Sequence, residues 1–252
     1  MPVKGQHITK TVPPGKSSSA EFRDQYITLR HKEKRLYSDE QVRKLPEVQP
    51  GHPHYKEWVT RKRSADRLIR YIANIKKPVS ILEVGCGNGW LSNKLSAISQ
   101  SMVTGFDINQ VELQQAKRVF GHRLNLKFTS RDPFVGAQDQ SQFDIIVFAA
   151  SVQYFSSLRK TISDALKVLK PDGTIHIIDS HFYELEEAAK AKQRTLDYFT
   201  SLGFPGFAAH YFHHSLSSLE EFNFRILYDP GSLLNKILRR KDPFHWVCIK
   251  KT

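Results

Sequence analysis

The chain has 252 residues, 40% of them hydrophobic, a formal net charge of +13 and two cysteines. That length supports one large core or a domain with an appendage, and we read the second. The longest apolar runs, such as Phe143 to Ala150, fall far short of the roughly 20 residues that a helix needs to cross a bilayer. No membrane span is expected, and Cys86 and Cys248 are too isolated for a disulfide framework or a zinc site.

The first stretch, residues 1–20, is polar and carries Pro, Gly and Ser. It cannot bury enough apolar surface to offset its ordering entropy, so we expect a flexible tail. It also lacks the apolar region of a secretory signal, and a cytoplasmic location is expected. Residues 21–77 form the next segment. Charged residues alternate with scattered aromatics from Tyr26 to Lys44, and LPEVQPGHPHY then reads as a loop. Beyond it Trp58, Ala65, Leu68, Ile69, Ile72 and Ile75 recur at helical spacing, which predicts an amphipathic helix stopped by Pro78.

From Val79 onward short apolar runs alternate with helix-period segments: VSILEV, NKLSAIS, MVTGFD, VELQQAKRVF, LKFTS, FDIIVFAA, LRKTISDALKVL and TIHIID. Such alternation predicts an α/β domain over 78–252, with a mostly parallel sheet covered on both faces. Asn109 and Glu112 have capping-box spacing, and Pro171-Asp172-Gly173 supplies turn chemistry after a helix ending at Leu169. A helix from about Glu184 to Leu202 follows, then the candidate strands FNFRILYD and HWVCIKK.

VSILEV runs straight into Gly85-Cys86-Gly87-Asn88-Gly89-Trp90, where a doubly wound sheet binds its ligand. Glycines there permit positive φ and close approach of a ligand to the backbone. Asp107 follows by about twenty residues, placed to accept the hydroxyls of a ribose. Nicotinamide enzymes share that arrangement, but their G-x-G-x-x-G pattern would need glycine at position 90, where this chain has Trp90. The alternative pattern, an acid two residues before G-x-G-x-G, is met by Glu83 with Gly85, Gly87 and Gly89.

This pattern resembles motif I of the class I S-adenosylmethionine-dependent methyltransferases, in their small-molecule, type 11-like branch. The resemblance extends from about Ile81 to Asp179. Phe143-Asp144-Ile145-Ile146 is similar to the family's fourth strand, and Leu169-Lys170-Pro171-Asp172-Gly173 to its L-K-P-G-G turn, with Asp172 replacing a glycine. It implies a Rossmann-like doubly wound sheet of seven strands with an antiparallel last strand, under an N-terminal helical lid formed by 21–77. It also implies S-adenosylmethionine as cofactor, contacted by Glu83, the turn from Gly85 to Trp90, Asp107, Ile108, Asp132, Pro133, Ala150 and Ser151.

Methyl transfer asks the protein mainly to align nucleophile, carbon and sulfur and to exclude water. Where an acceptor proton must leave, histidine suits neutral pH. We take His213 as the candidate base, with Trp58, Arg61, Tyr154, His210 and His214 as candidate acceptor contacts. His210-x-x-His213-His214 lacks a matching further ligand for a metal, so none is expected. The dispersed lysines and arginines form no compact block, and the [DNS]-P-P-[YF] pattern of nucleobase amine methylation is replaced by Ala150-Ser151-Val152-Gln153-Tyr154. The expected partner is therefore a small-molecule acceptor and not nucleic acid. An RNA or protein methyltransferase, or a non-catalytic cofactor-binding sensor or scaffold, are the competing readings.

Overall fold

A computed structural model describes residues 19–135, 141–237 and 242–251. Most of the expected flexible tail, residues 1–18, lies outside the described residues, and its last two positions begin a helix. Three helices come first: α1 (Ser19–Lys32), α2 (Asp39–Lys44) and α3 (Tyr55–Ala73). The Tyr26 to Lys44 region is thus two helices, the second opened by a capping box in which the Ser38 hydroxyl accepts from Gln41 N and the Gln41 side chain from Ser38 N. α3 stops short of Ile75 because Asn74 caps it and Lys76 takes a left-handed φ of 52°.

The sheet follows in alternating order: β1 (Val79–Val84), α4 (Trp90–Ser96), β2 (Ser101–Phe106), α5 (Gln110–Phe120), β3 (Leu126–Thr129), β4 (Phe143–Ala149), α6 (Leu158–Val168) and β5 (Leu169–Ile178). Then come α7 (Leu185–Ser201), β6 (Phe224–Tyr228), the short α8 (Leu233–Ile237) and β7 (Trp246–Lys250). The seven strands lie in the order β3-β2-β1-β4-β5-β7-β6. β7 runs antiparallel to β5 on one side and β6 on the other, whereas β1 to β5 pair in parallel. This is the seven-stranded, Rossmann-like α/β sheet that the resemblance implies.

Alternate residues of the central strands supply two separate cores, as a parallel sheet covered on both faces requires. Val79 and Ile81 of β1 with Ile145 and Val147 of β4 pack under Trp58, Leu68 and Ile72 of α3 and Leu91 and Leu95 of α4. Leu82, Val84, Ile146 and Phe148 point the other way, against Leu158, Ile162 and Ala165 of α6. A third cluster joins Leu29 of α1 to Phe199 of α7 and Phe207, so the first helix is held against the last long one above the carboxyl ends of the strands.

Polar contacts fix α3 on this frame. The Ser64 hydroxyl donates to Asp179 Oδ1 at 2.6 Å, just past β5. Arg67 and Arg63 both reach Asp242, a carboxylate only 4% exposed that precedes β7. Among the described residues, no helix is long and apolar enough to cross a membrane.

Candidate active site

The turn after β1 is shaped by its own packing as much as by any ligand. Gly85, Gly87 and Gly89 all adopt left-handed φ angles, of 78°, 52° and 77°, which side chains strain. A Cβ on Gly85 would lie 2.7 Å from Ser151 Cβ, and one on Gly89 2.7 Å from the Phe128 ring. These two glycines admit neighbouring elements. Gly87 has more room, since a Cβ there would meet only the Glu112 carboxylate, at 3.5 Å.

Asp107, at the tip of β2, is held by the turn it serves. Its Oδ2 accepts from Gly87 N and its Oδ1 from Asn109 N, both at 2.7 Å. Each oxygen keeps acceptor capacity for a further donor. Burial raises its carboxyl above the ordinary range, against the amide donors that favour the charged form. Glu83, 2% exposed, accepts from the Ser92 hydroxyl of α4, and burial pushes it up to about 8. Glu112 is pushed up to about 7, again mainly by burial, with Arg30 opposing and Asp107 reinforcing the rise.

Glu112 differs from the expected capping box. Asn109 does cap α5, its side chain accepting from Val111 N and Glu112 N. The Glu112 side chain does not return the bond; it turns into the cleft beneath Gly87.

These groups line a cavity of about 260 Å³. Glu83, Gly85, Cys86, Gly87, Asn88, Trp90, Asp107, Ile108, Asp132, Ala150 and Ser151 all face it, as do Trp58, Arg61 and Tyr154. Trp58 and Trp90 meet edge to face at 5.4 Å between ring centroids, closing one wall with indole. Gly89 and Pro133 are not on the lining; Gly89 is packed under Phe128, and at the next step of the chain Phe134 takes the position facing the cleft. Asp132 Oδ1 accepts from Phe134 N at 2.8 Å, which shapes that loop.

The histidines lie elsewhere. His213 Nε2 bonds the Thr195 hydroxyl at 2.9 Å, His214 Nε2 bonds the Val152 carbonyl at 3.0 Å, and the His210 ring sits beside Phe207. Burial lowers the basicity of His213 and His214. His213, expected as a base, and His210 and His214, expected as acceptor contacts, are thus not among the residues that line the two cavities. Among the described residues, no three side chains of metal-binding type converge to hold an ion.

Sequence reasoning passes over Tyr26, Arg30, Tyr37, Glu112, Phe134 and Gln153, all on the lining. Tyr26 and Arg30 stand one helical turn apart on α1, with the guanidinium 5.6 Å from the ring centroid. That spacing is the signal in the sequence that could have found them. A second cavity of about 480 Å³ shares Arg30, Arg61, Gln153 and Tyr154 with the first.

The first cavity carries four acids, Glu83, Asp107, Glu112 and Asp132, against two arginines. A pyrophosphate would meet these carboxyls and the Trp90 indole. A ligand with a sulfonium and an ammonium group fits, since it restores charge balance to carboxyls that burial alone drives toward protonation.

Comparison with known proteins agrees. Residues 81–173 match the model of the methyltransferase domain family. Malonyl-[acyl-carrier protein] O-methyltransferase 2 of Ilyobacter polytropus is 28% identical over 153 residues, 59% of each chain. The malonyl-[acyl-carrier protein] O-methyltransferase of Brevibacillus brevis is 32% identical over 124 residues, 46% of this chain and 45% of that one. The chain thus spans about half the length of the curated relatives it matches. Magnesium protoporphyrin IX methyltransferase of Synechocystis, solved with bound S-adenosylhomocysteine, shares the fold with a TM-score of 0.60 at 16% identity, covering 91% of this chain and 97% of that one. A cleft suited to a sulfonium, set in this sheet, agrees with the methyltransferase domain that residues 81–173 match.

Proposed function

We propose that the protein transfers a methyl group from S-adenosylmethionine to a small-molecule acceptor, and that it does so in the cytoplasm. The observation that carries this reading is the second cavity. Its about 480 Å³ continue from the cofactor cleft past Arg61 and Tyr154, within the size range of small-molecule sites, and α1, α3 and α7 supply its walls. Those helices bound a pocket of a size that suits a compact molecule. The name malonyl-[acyl-carrier protein] O-methyltransferase among the relatives supports an oxygen acceptor.

When bound, the cofactor supplies an activated methyl carbon on a positively charged sulfur. The chain's part is to bind, orient and keep out water. Asp107 accepts the ribose hydroxyls while Gly87 N and Asn109 N hold its carboxylate in place. Glu83, braced by Ser92, and Glu112 are carboxyls that the cationic end of the cofactor would draw toward their charged form. Arg61, tied to Glu57 at 3.1 Å, stands at the passage between the cavities, where Trp58 and Trp90 exclude solvent. Ala150 and Ser151 form the floor, the Ser151 hydroxyl donating to Val84 O at 2.7 Å. Residues 21–77 act as a lid over domain 78–252, α1 covering the chamber through its contact with α7.

The test is incubation of purified protein and a cell extract with isotope-labelled S-adenosylmethionine, followed by mass spectrometry. A labelled product below about 1 kDa is the expected result. Label found only in RNA or protein would replace this reading with a macromolecular substrate, and cofactor binding without any labelled product would make the protein a sensor or scaffold.

A further inference from the structure

The second cavity is unusually rich in arginine. Arg30, Arg35, Arg61 and Arg194 line it against two acids, Glu33 and Glu57. Both acids are already engaged. Glu57 takes a two-pronged hydrogen bond from Arg35, at 2.8 and 2.6 Å, and an ion pair from Arg61 at 3.1 Å. Glu33 accepts from the Tyr198 hydroxyl and stands 3.5 Å from Arg35. Two cations keep donors for an anion. Arg30 makes only a loose ion pair with Glu33, at 3.7 Å, and its Nε is buried with no hydrogen-bond partner. Arg194 of α7 makes no ion pair among the described residues.

The remaining wall is aromatic, formed by Tyr154, Tyr183, Tyr198, Phe199 and Tyr211. Flat rings and guanidinium planes together favour a flat, unsaturated ligand bearing an anion, because a carboxylate pairs with the guanidinium fork while its body stacks on the rings. The cavity also offers little to remove a proton. Among the described residues, no histidine or lysine lines either cavity. Burial raises Tyr154 and Tyr211, which keeps both phenols protonated.

We infer that the acceptor is a small aryl or conjugated carboxylic acid, bound as its carboxylate by Arg30 and Arg194 and methylated on that carboxylate. This rests on the methyltransferase reading above. The step balances without a base. A lone pair on one carboxylate oxygen forms the new O–CH3 bond while the CH3–S bond breaks, and that bond's electron pair stays on sulfur. An anion and a cation become a neutral ester and a thioether, and no proton moves. The second carboxylate oxygen stays in the guanidinium fork and fixes the angle of attack.

Arg30 and Arg61 face both cavities, so either could instead hold the cofactor's own carboxylate. Arg194 faces only the outer one, is exposed, and discriminates between the two sources. The experiment titrates protein loaded with S-adenosylhomocysteine with benzoate, benzyl alcohol and benzylamine, followed by ligand-observed NMR. Benzoate is expected to bind at least tenfold more tightly than either analogue. Arg194→Gln should weaken benzoate at least tenfold while S-adenosylhomocysteine affinity stays within about twofold. In a second arm, the anion-exchange-retained small molecules of a cell extract are labelled by the enzyme, and dilute alkali should release the label as methanol. The proposal is overturned by no benzoate binding, by equal binding of the alcohol or amine, by an Arg194→Gln variant that spares benzoate or weakens the cofactor instead, or by an alkali-stable label. Failure of S-adenosylhomocysteine itself to bind would appear in the initial loading titration and would count against the underlying reading; any failure with it bound belongs to the acceptor.

Discussion

Replacing Glu83 by glutamine removes a buried acid but keeps its shape, and the effect depends on where its proton sits. Burial pushes this carboxyl from its ordinary 4.5 to about 8, with Ser92 opposing and Asp107 reinforcing. The folded chain therefore binds the proton more tightly than the unfolded chain does. Stability from this group is fully present below about pH 4.5 and is lost as the pH rises through about 8. At ~1.4 kcal/mol per pH unit, the interval from 4.5 to about 8 corresponds to ~5 kcal/mol, most of it lost between about pH 5 and 8. In a chain of this size 1 kcal/mol moves Tm by roughly 2–4 °C. Glu83→Gln should therefore flatten the decline of Tm across that window by on the order of 10 °C. Glu112, pushed up to about 7, adds a slope of the same sign to both proteins, which the comparison cancels. Thermal unfolding of cofactor-free protein in a buffer series from about pH 5 to 8.5 makes the measurement. Equal slopes for the two proteins would refute the reasoning, because the fold would then not be holding Glu83 protonated.

Asp107→Ala removes the ribose acceptor and the anchor of Gly87 N, and calorimetry with S-adenosylhomocysteine should show a loss of about 2–3 kcal/mol, the scale of a charged hydrogen bond; unchanged affinity in a folded variant would sink the cofactor assignment. Gly85→Ala places a Cβ 2.7 Å from Ser151 Cβ at a φ of 78°, so Tm should fall by several degrees. Adding Ser151→Gly should recover only part of that, the remainder being backbone strain, and full recovery would show that the clash alone matters. Asp242→Asn weakens the ion pairs to Arg67 and Arg63 at a carboxylate 4% exposed, for an expected destabilisation of about 2 kcal/mol in urea unfolding; a change below about 0.5 kcal/mol would mean that packing alone holds α3 to the sheet.

The sheet and the glycine turn are legible in the sequence because both depend on local signals. Strand runs such as VSILEV and FDIIVFAA alternate with helical periodicity, and Gly85, Gly87 and Gly89 occupy left-handed positions that other residues strain. Capping shows where local signals stop. Ser38-x-x-Gln41 carries the full capping-box signature and forms it, yet charge alternation around it masks the helix. Asn109-x-x-Glu112 carries a similar signature, but only its first half forms, because the Glu112 side chain lies in a cleft that tertiary structure creates. The outer chamber is less legible still. Arg30, Arg61 and Arg194 come from α1, α3 and α7, and nothing in the spacing of these three residues says that they converge. His213 is the converse case: a residue type suited to the chemistry, in the expected segment, whose ring is engaged by Thr195.

The place of β7 between β5 and β6 has a consequence for how the chain must be made. A ribosome delivers β5 on the order of 70 residues, or several seconds, before β7 at 5–20 residues per second. Throughout that interval the edge of β5 along Thr174 to Ile177, which β7 later pairs, presents unpaired backbone flanked by the apolar Ile175 and Ile177. β6 emerges sooner but cannot cover it, since its own partner is the same missing strand. An open, apolar strand edge is a template for pairing with another chain, so nascent chains stalled between Tyr228 and Trp246 should be the species that aggregates and that chaperones hold. The yield of folded protein should then respond to translation speed over the β6 to β7 connection far more than over the connections among β1 to β4.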